Sequence, residues 1–137
     1  MAVAFPRRAE MTIGDRTAVI PATLDPKALD EIRAIPSPNL LNRMILLYEQ
    51  HTPRLINEGR AAVAARDCTR IAVAVHELKS ASANLGAVRL AQLCRDCELA
   101  AKRDDLQTAC DLWPVLIEEH AAALVALAAL RTLESAA

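Results

Sequence analysis

Glycine is scarce in this chain, because only three of its 137 residues are glycine. Proteins that bind nucleotide phosphates through a P-loop need a glycine-rich segment whose backbone amides approach the phosphates closely. No such segment occurs in the sequence. The composition therefore excludes a P-loop nucleotide site, and three glycines are too few for the nucleotide-binding domain of a kinase.

Aromatic side chains are equally rare, with one Phe, one Tyr and one Trp. Hydrophobic residues nevertheless make up 53% of the chain, and most of them are alanine or leucine. These residues have high helix propensity, and runs of β-branched residues are few. The composition therefore predicts an all-α protein. A length of 137 residues suits one domain with a sizeable core.

Long runs of positive charge and of apolar residues are also missing. The net charge is −1 and no cationic run exceeds Arg7-Arg8, so we expect no nucleic-acid partner. The longest late uncharged stretch, Ala121 to Leu130, is far shorter than the ~20 residues that a membrane-spanning helix needs. No apolar signal-peptide core precedes Arg7. These absences predict a cytoplasmic protein without direct membrane insertion.

Helix start and stop signals divide the remaining chain into five segments. Asp25-Pro26 predicts the start of a short helix that ends near Ile35. Four longer helices are predicted at about residues 39–64, 67–85, 87–103 and 104–133, with Asp67 and Asp104 as N-caps, Gly86 as a stop signal, and Pro53 and Pro114 as sources of bending.

Short connections place consecutive helices side by side and antiparallel. The sequence thus predicts an up-down-up-down four-helix bundle with a short additional N-terminal helix, over residues 24–134. Residues 1–23 show no sustained hydrophobic period, and we predict that they form a flexible tail or an interdomain linker.

One histidine stands out within the second long helix. A helical wheel places Ile71, Val75 and Leu78 on one apolar side and turns His76 well over 100° away from it. The residues that share the side of His76 are mostly small, namely Thr69, Ala72, Val73, Lys79, Ser80 and Ala83. His76 should therefore face solvent from a surface that another protein can approach closely.

The segment from His76 to Ala87, HELKSASANLGA, resembles the phosphoacceptor motif of the histidine phosphotransfer (HPt) domains of bacterial phosphorelays. That motif reads roughly His-x-Leu-Lys-Gly, then small residues, then an apolar residue and glycine. Further similarity lies in residues 24–29, 65–68 and 90–99, so that the resemblance covers about residues 24–131. Ser80 departs from the usual glycine, but serine is small enough to keep the ring accessible.

The resemblance implies a phosphocarrier without autokinase activity or a cofactor of its own. A response-regulator receiver domain would donate the phosphoryl group, a second receiver would accept it, and the receivers would supply Mg²⁺. On this reading His76 is phosphorylated on a ring nitrogen, Nε2, and Lys79 neutralises phosphate charge. Ala72, Val73, Ser80 and Ala83 would form the docking patch of a monomeric protein. The resemblance fits both a free-standing carrier and a domain of a membrane-bound hybrid sensor kinase.

Two other hypotheses compete with the phosphocarrier. A non-catalytic bundle that uses the same exposed patch for docking is not separated from it by the sequence. A redox or metal-binding bundle would use Cys94 and Cys97, but both lie on the apolar face of their helix, which favours core packing. His120 lies on the apolar stripe of the last helix and is predicted to be a core residue, while nothing diagnostic surrounds His51.

Overall fold

The computed structural model describes residues 23–136 and contains, within that range, five helices and no strand. The helices are α1 (Pro26–Arg33), α2 (Leu40–Ala64), α3 (Cys68–Asn84), α4 (Val88–Lys102) and α5 (Leu106–Ala136). Each agrees with a predicted helix to within a few residues. The prediction of a tail or linker at residues 1–23 lies outside the described residues, apart from Thr23.

Three aspartates cap helices by local hydrogen bonds. The Asp25 carboxylate accepts from the Lys27 backbone N–H at 3.0 Å at the start of α1, and Asp67 accepts from the Arg70 N–H at 3.1 Å at the start of α3. At the start of α5 the cap is Asp105, which accepts from the Thr108 N–H at 3.2 Å. The prediction that Asp104 fills this role is wrong. Its φ of +61° places it in the preceding turn, whereas a capping residue has extended backbone.

Helix α1 is fixed to the turn between α3 and α4. The Asp25 N–H donates to the Gly86 carbonyl at 2.7 Å. Gly86 has a φ of +73°, and a Cβ there would lie 3.0 Å from the Cβ of Ala28. Glycine is therefore required by the backbone conformation and by the close approach of α1.

The helices pack in chain order into a four-helix bundle. Helix α3 packs most extensively on α4, α4 packs on α5, and α2 contacts both α3 and α5, which closes the core. Helix α1 covers a second apolar cluster at one end, into which it buries Leu29 and Ile32 against Ile45 and Leu127. The fold thus holds α3 between α2 and α4, with one side of α3 left open to solvent.

Helix α5 is the longest element and the most apolar. Over Leu106–Leu133 its length and mean hydropathy of 1.5 would suffice for a membrane span. In the bundle, however, α5 contributes the fully buried Ala109, Leu116, Ala123 and Leu127 to the core. This packing buries 39% of the most apolar segment of α5. Pro114 lies inside α5 without ending it.

Candidate functional site

The open side of α3 presents His76 to solvent. Its side chain is 59% exposed, whereas Ile71, Val75 and Leu78 on the opposite side of the helix are buried in the core. The helical wheel predicted this orientation correctly. The ring is nevertheless not free to rotate, because one of its nitrogens has a partner on the neighbouring helix.

That partner is Glu98, a carboxylate on α4. Its Oε2 lies 2.8 Å from His76 Nδ1 and 3.0 Å from Lys102 Nζ, and its Oε1 lies 2.7 Å from Lys79 Nζ. The Glu98 side chain is only 5% exposed. One nearly buried carboxylate therefore binds the imidazole and two ammonium groups, and it ties α3 to α4 at the position of His76.

Glu98 is ionised because its partners outweigh its burial. Burial is the largest single influence and raises the pKa of Glu98, but hydrogen bonds from Lys79, Lys102 and His76 together lower this pKa to about 2. An ionised carboxylate only accepts hydrogen bonds, so Nδ1 of His76 must carry the proton. In the neutral ring this leaves the lone pair on Nε2, the nitrogen that has no part in the bond to Glu98.

The imidazole borders an open recess of about 460 Å³. The recess is lined by Ala72, Val73, His76, Glu77, Ser80, Glu98 and Lys102. Small side chains thus keep the surface around the ring low, and Val73 is largely exposed. The Ser80 hydroxyl donates to the His76 carbonyl at 3.3 Å, so it is turned towards the helix backbone rather than towards the ring.

Some of the predicted site residues lie at the recess beside His76 and others lie outside it. Ala72, Val73 and Ser80 line the recess together with His76. Lys79 is half-buried. Its ammonium group binds Glu98, the same carboxylate that binds the imidazole of His76. Ala83 is exposed, but it does not line the recess.

Glu98 and Lys102 were missed by the sequence analysis. A signal was present, because Glu98 interrupts the apolar face of α4 next to Cys97 and Ala101. A carboxylate at a buried position requires partners, and Lys102 lies four residues further along the same helix. The sequence pattern could not show that α3 packs opposite Glu98.

A second charged group links α3 to α2. Glu77 Oε2 is 2.7 Å from His51 Nε2 and 3.9 Å from Arg54 Nη2, both on α2. Arg54 Nη2 is also 3.4 Å from His51 Nδ1, and Arg54 Nη1 is 2.8 Å from Glu58. His51, which had no diagnostic neighbours in the sequence, is thus part of a contact between α2 and the residue after His76.

The inner side of α3 takes part in a buried polar chain. The Ser82 hydroxyl lies 2.8 Å from the Tyr48 hydroxyl. Thr52 donates to the Tyr48 carbonyl at 2.8 Å and lies 2.8 Å from His120 Nε2, which is then the donor to the Thr52 oxygen. Burial lowers the pKa of His120, and this favours the neutral ring of a core residue, as predicted.

The paired cysteines of α4 are part of the core. Cys94 and Cys97 are fully buried, and burial raises the pKa of both thiols, that of Cys97 to about 12. Both thiols are therefore protonated at neutral pH and poorly nucleophilic. Across residues 23–133, no group of three or more His, Cys, Asp or Glu side chains is arranged to hold a metal ion. Core packing is the role that the burial of Cys94 and Cys97 supports.

Comparisons with known proteins identify a family and a similar fold. The family model described as Hpt domain matches residues 43–132. The crystal structure of histidine-containing phosphotransfer protein B (HptB) from Pseudomonas aeruginosa PAO1 is similar in fold, with a TM-score of 0.75 at 24% identity over 80% of this chain and 95% of that chain. No curated protein sequence matches the chain.

The family match spans well over half of the chain and includes the whole of α3 and α4, which carry His76 and Glu98. The HptB structure independently supports the same fold. The chain therefore belongs to the Hpt domain family, whose members are phosphocarriers rather than kinases and act with receiver domains in the histidine phosphotransfer steps of phosphorelays.

Proposed function

We propose that this protein accepts a phosphoryl group on Nε2 of His76 from the aspartyl phosphate of one receiver domain and passes it to the aspartate of another. The observation that supports this proposal is that the two ring nitrogens have different surroundings. Nδ1 is bound to the ionised, nearly buried Glu98, and Nε2 belongs to a side chain that is 59% exposed beside an open recess.

The transfer step needs no general base from this chain. The lone pair of Nε2 attacks phosphorus, the P–N bond forms, and the P–O bond to the receiver aspartate breaks. That aspartate leaves as a carboxylate with the bonding electron pair. The proton on Nδ1 stays where it is, and the Glu98 carboxylate stabilises the positive charge that the ring acquires. In the return step the same bonds are exchanged in the opposite direction.

Lys79 and Lys102 would supply positive charge near the imidazole. Both ammonium groups are held on Glu98, at 2.7 Å and 3.0 Å, and are thus positioned before the partner arrives. Phosphoryl transfer depends mainly on positioning and on neutralising the phosphoryl oxygens. The Mg²⁺ that assists the transfer would come from the receiver, and the chain would need no cofactor and have no autokinase activity of its own.

We further propose that the four long helices run up-down-up-down and antiparallel, with α1 added at one end, because the connections between consecutive helices are short. The protein acts as a monomer in the cytoplasm, without contact to nucleic acid and without inserting into a membrane. Ala72, Val73 and Ser80 form the floor on which the receiver docks, and Ala83 extends it along α3.

The test is label transfer from receiver domains. Wild-type protein and the His76→Ala variant are mixed with each of a panel of radiolabelled, phosphorylated receivers, and Gln50→Ala serves as a matched control at an exposed position of α2. We expect acid-labile, base-stable label on the wild type and on the control, and none on His76→Ala. If a receiver binds the wild type but transfers no label, the protein is a docking bundle and the carrier proposal is wrong.

A further inference from the structure

Two carboxylates border the recess that holds His76, and they differ in exposure and in the groups that bind them. Both oxygens of Glu98 are bound to cations or to the imidazole, and the side chain is nearly buried. Glu77 directly follows His76 and its side chain is 51% exposed. It also lines the recess. Glu77 is therefore the carboxylate that could move towards a group on Nε2.

Contacts from α2 hold Glu77 in place. Because Arg54 Nη2 donates to Nδ1 of His51, the proton of the neutral ring lies on Nε2, which donates to Glu77 at 2.7 Å. Arg54 also lies 3.9 Å from the same carboxylate oxygen, and its other terminal nitrogen is bound to Glu58 at 2.8 Å. His51 and Arg54 thus form a clamp that directs the Glu77 carboxylate towards α2.

A released Glu77 would shorten the life of a phosphorylated His76. In hydrolysis, the oxygen of a water molecule attacks phosphorus, the P–N bond breaks, its electron pair returns to Nε2, and a proton of the water passes to a base. A mobile carboxylate one residue away can take that proton. Glu98 cannot, because its oxygens already accept hydrogen bonds from three donors.

We propose that His51 and Arg54 are positioning residues that hold Glu77 away from phosphorylated His76 and so protect the phosphohistidine from hydrolysis. This inference rests on the proposed function and adds control over the lifetime of the carrier state. It assigns that control to α2, outside the helix that bears the phosphoacceptor.

The experiment measures the half-life of phosphohistidine in the absence of any receiver. Each protein is phosphorylated with phosphoramidate, a small donor that transfers its phosphoryl group to imidazole nitrogens, and the donor is removed before the decay is followed by ³¹P NMR. The variants are His51→Ala, Arg54→Ala and the double variant His51→Ala with Glu77→Gln. Gln50→Ala, at an exposed position of α2 next to His51, is the matched control.

We expect His51→Ala and Arg54→Ala to shorten the half-life about two- to fivefold, since each removes a hydrogen bond or ion pair at a partly exposed site that contributes about 0.4–1 kcal/mol. The effect of Arg54→Ala should shrink at high salt, because exposed charges are then screened. The double variant should decay as slowly as the wild type, because the glutamine amide cannot take a proton from water. Gln50→Ala should match the wild type.

Equal half-lives for His51→Ala and wild type would overturn this inference while leaving the proposed function intact. The same holds if the double variant decays as fast as His51→Ala, since Glu77 would then not be the cause. If the wild type gains no phosphoryl group on His76 from phosphoramidate or from any receiver, the proposed function fails, and this inference fails with it.

Discussion

His76 and His120 are the same residue type in opposite surroundings. His76 lies on the open side of α3, with a carboxylate as its hydrogen-bond partner, and is 59% exposed. His120 is buried between α2 and α5, with the hydroxyl of Thr52 as its partner, and lies 6.1 Å from the ring of Tyr48. Helix α3 contributes to both regions, because His76 points outwards and Ser82 inwards.

The comparison shows what makes one histidine suited to chemistry. A buried ring beside a neutral hydroxyl is held uncharged and out of contact with any partner protein. The exposed ring has one nitrogen fixed by an ionised carboxylate, which orients the other nitrogen and can stabilise a positive ring. An exposed histidine without such a partner would be an ordinary surface residue. The hydrogen bond to Glu98 distinguishes His76 from one.

The largest expected effect comes from removing Glu98. We expect Glu98→Ala to slow phosphoryl transfer to His76 about 10- to 100-fold, because a hydrogen bond to a charged group contributes about 1.5–3 kcal/mol. Glu98→Gln should be less impaired, since its amide oxygen still accepts from Nδ1. Rapid-quench transfer assays measure both, with Glu118→Gln on the exposed side of α5 as the control. Wild-type rates in both variants would show that the carboxylate does not orient the ring.

A substitution in the core should affect stability and leave the chemistry of His76 unchanged. A Cβ at Gly59 of α2 would overlap the ring of Trp113, a rigid side chain that is buried. We therefore expect Gly59→Val to lower the free energy of unfolding by about 2–3 kcal/mol. Urea titration measures this, and Ala61→Val at an exposed position of α2 should change it by less than about 1 kcal/mol. A loss of transfer by folded Gly59→Val protein would contradict the separation of the two regions.

The inner side of α3 can be tested by a double-mutant cycle. Tyr48→Phe and Ser82→Ala each remove one partner of the buried hydroxyl pair, and each should cost about 1–2 kcal/mol of unfolding free energy. The double variant should lose less than the sum of the two, by about 0.5–1.5 kcal/mol. Additive losses would mean that the two hydroxyls do not interact. Transfer to His76 should be unchanged in all three variants.

The smallest expected effect is a pH dependence caused by His120. Burial lowers its pKa in the folded state, so the unfolded chain binds the proton more readily. The stability associated with the neutral ring is therefore present above the unfolded pKa of about 6.5 and is lost as pH falls below it. Between about pH 7.5 and about pH 6 the wild type should lose up to about 1 kcal/mol more than His120→Gln. Parallel pH profiles for both proteins would rule out this contribution.

Local signals predicted the helices because they act within a few residues. Asp25-Pro26, Asp67 and Gly86 each mark an end through a cap or a turn that involves neighbouring positions. The error at Asp104 has the same origin, since two adjacent aspartates offer the same side chain. Only the backbone conformation decides between them.

The site was predictable only as far as it lies on one helix. His76, Lys79 and the small residues of α3 follow from helical spacing, which also gave the exposure of the ring. Glu98 and Lys102 lie 22 and 26 positions further along the chain and meet His76 only because α4 packs on α3. The clamp on Glu77 likewise depends on how α2 packs, 26 positions before it. Such contacts have no local pattern that one sequence can display.

The arrangement around Glu98 also makes the local charge depend on phosphorylation. Two ammonium groups surround one ionised carboxylate beside the imidazole, so these three charged side chains sum to +1 while the carrier is empty. A phosphoryl group adds about two negative charges near neutral pH, while the ring that holds it gains one positive charge, so the local net charge falls by about one. An empty carrier would thus attract an acidic partner surface more strongly than a loaded one. Charge would then favour release of the receiver after transfer without a change of shape.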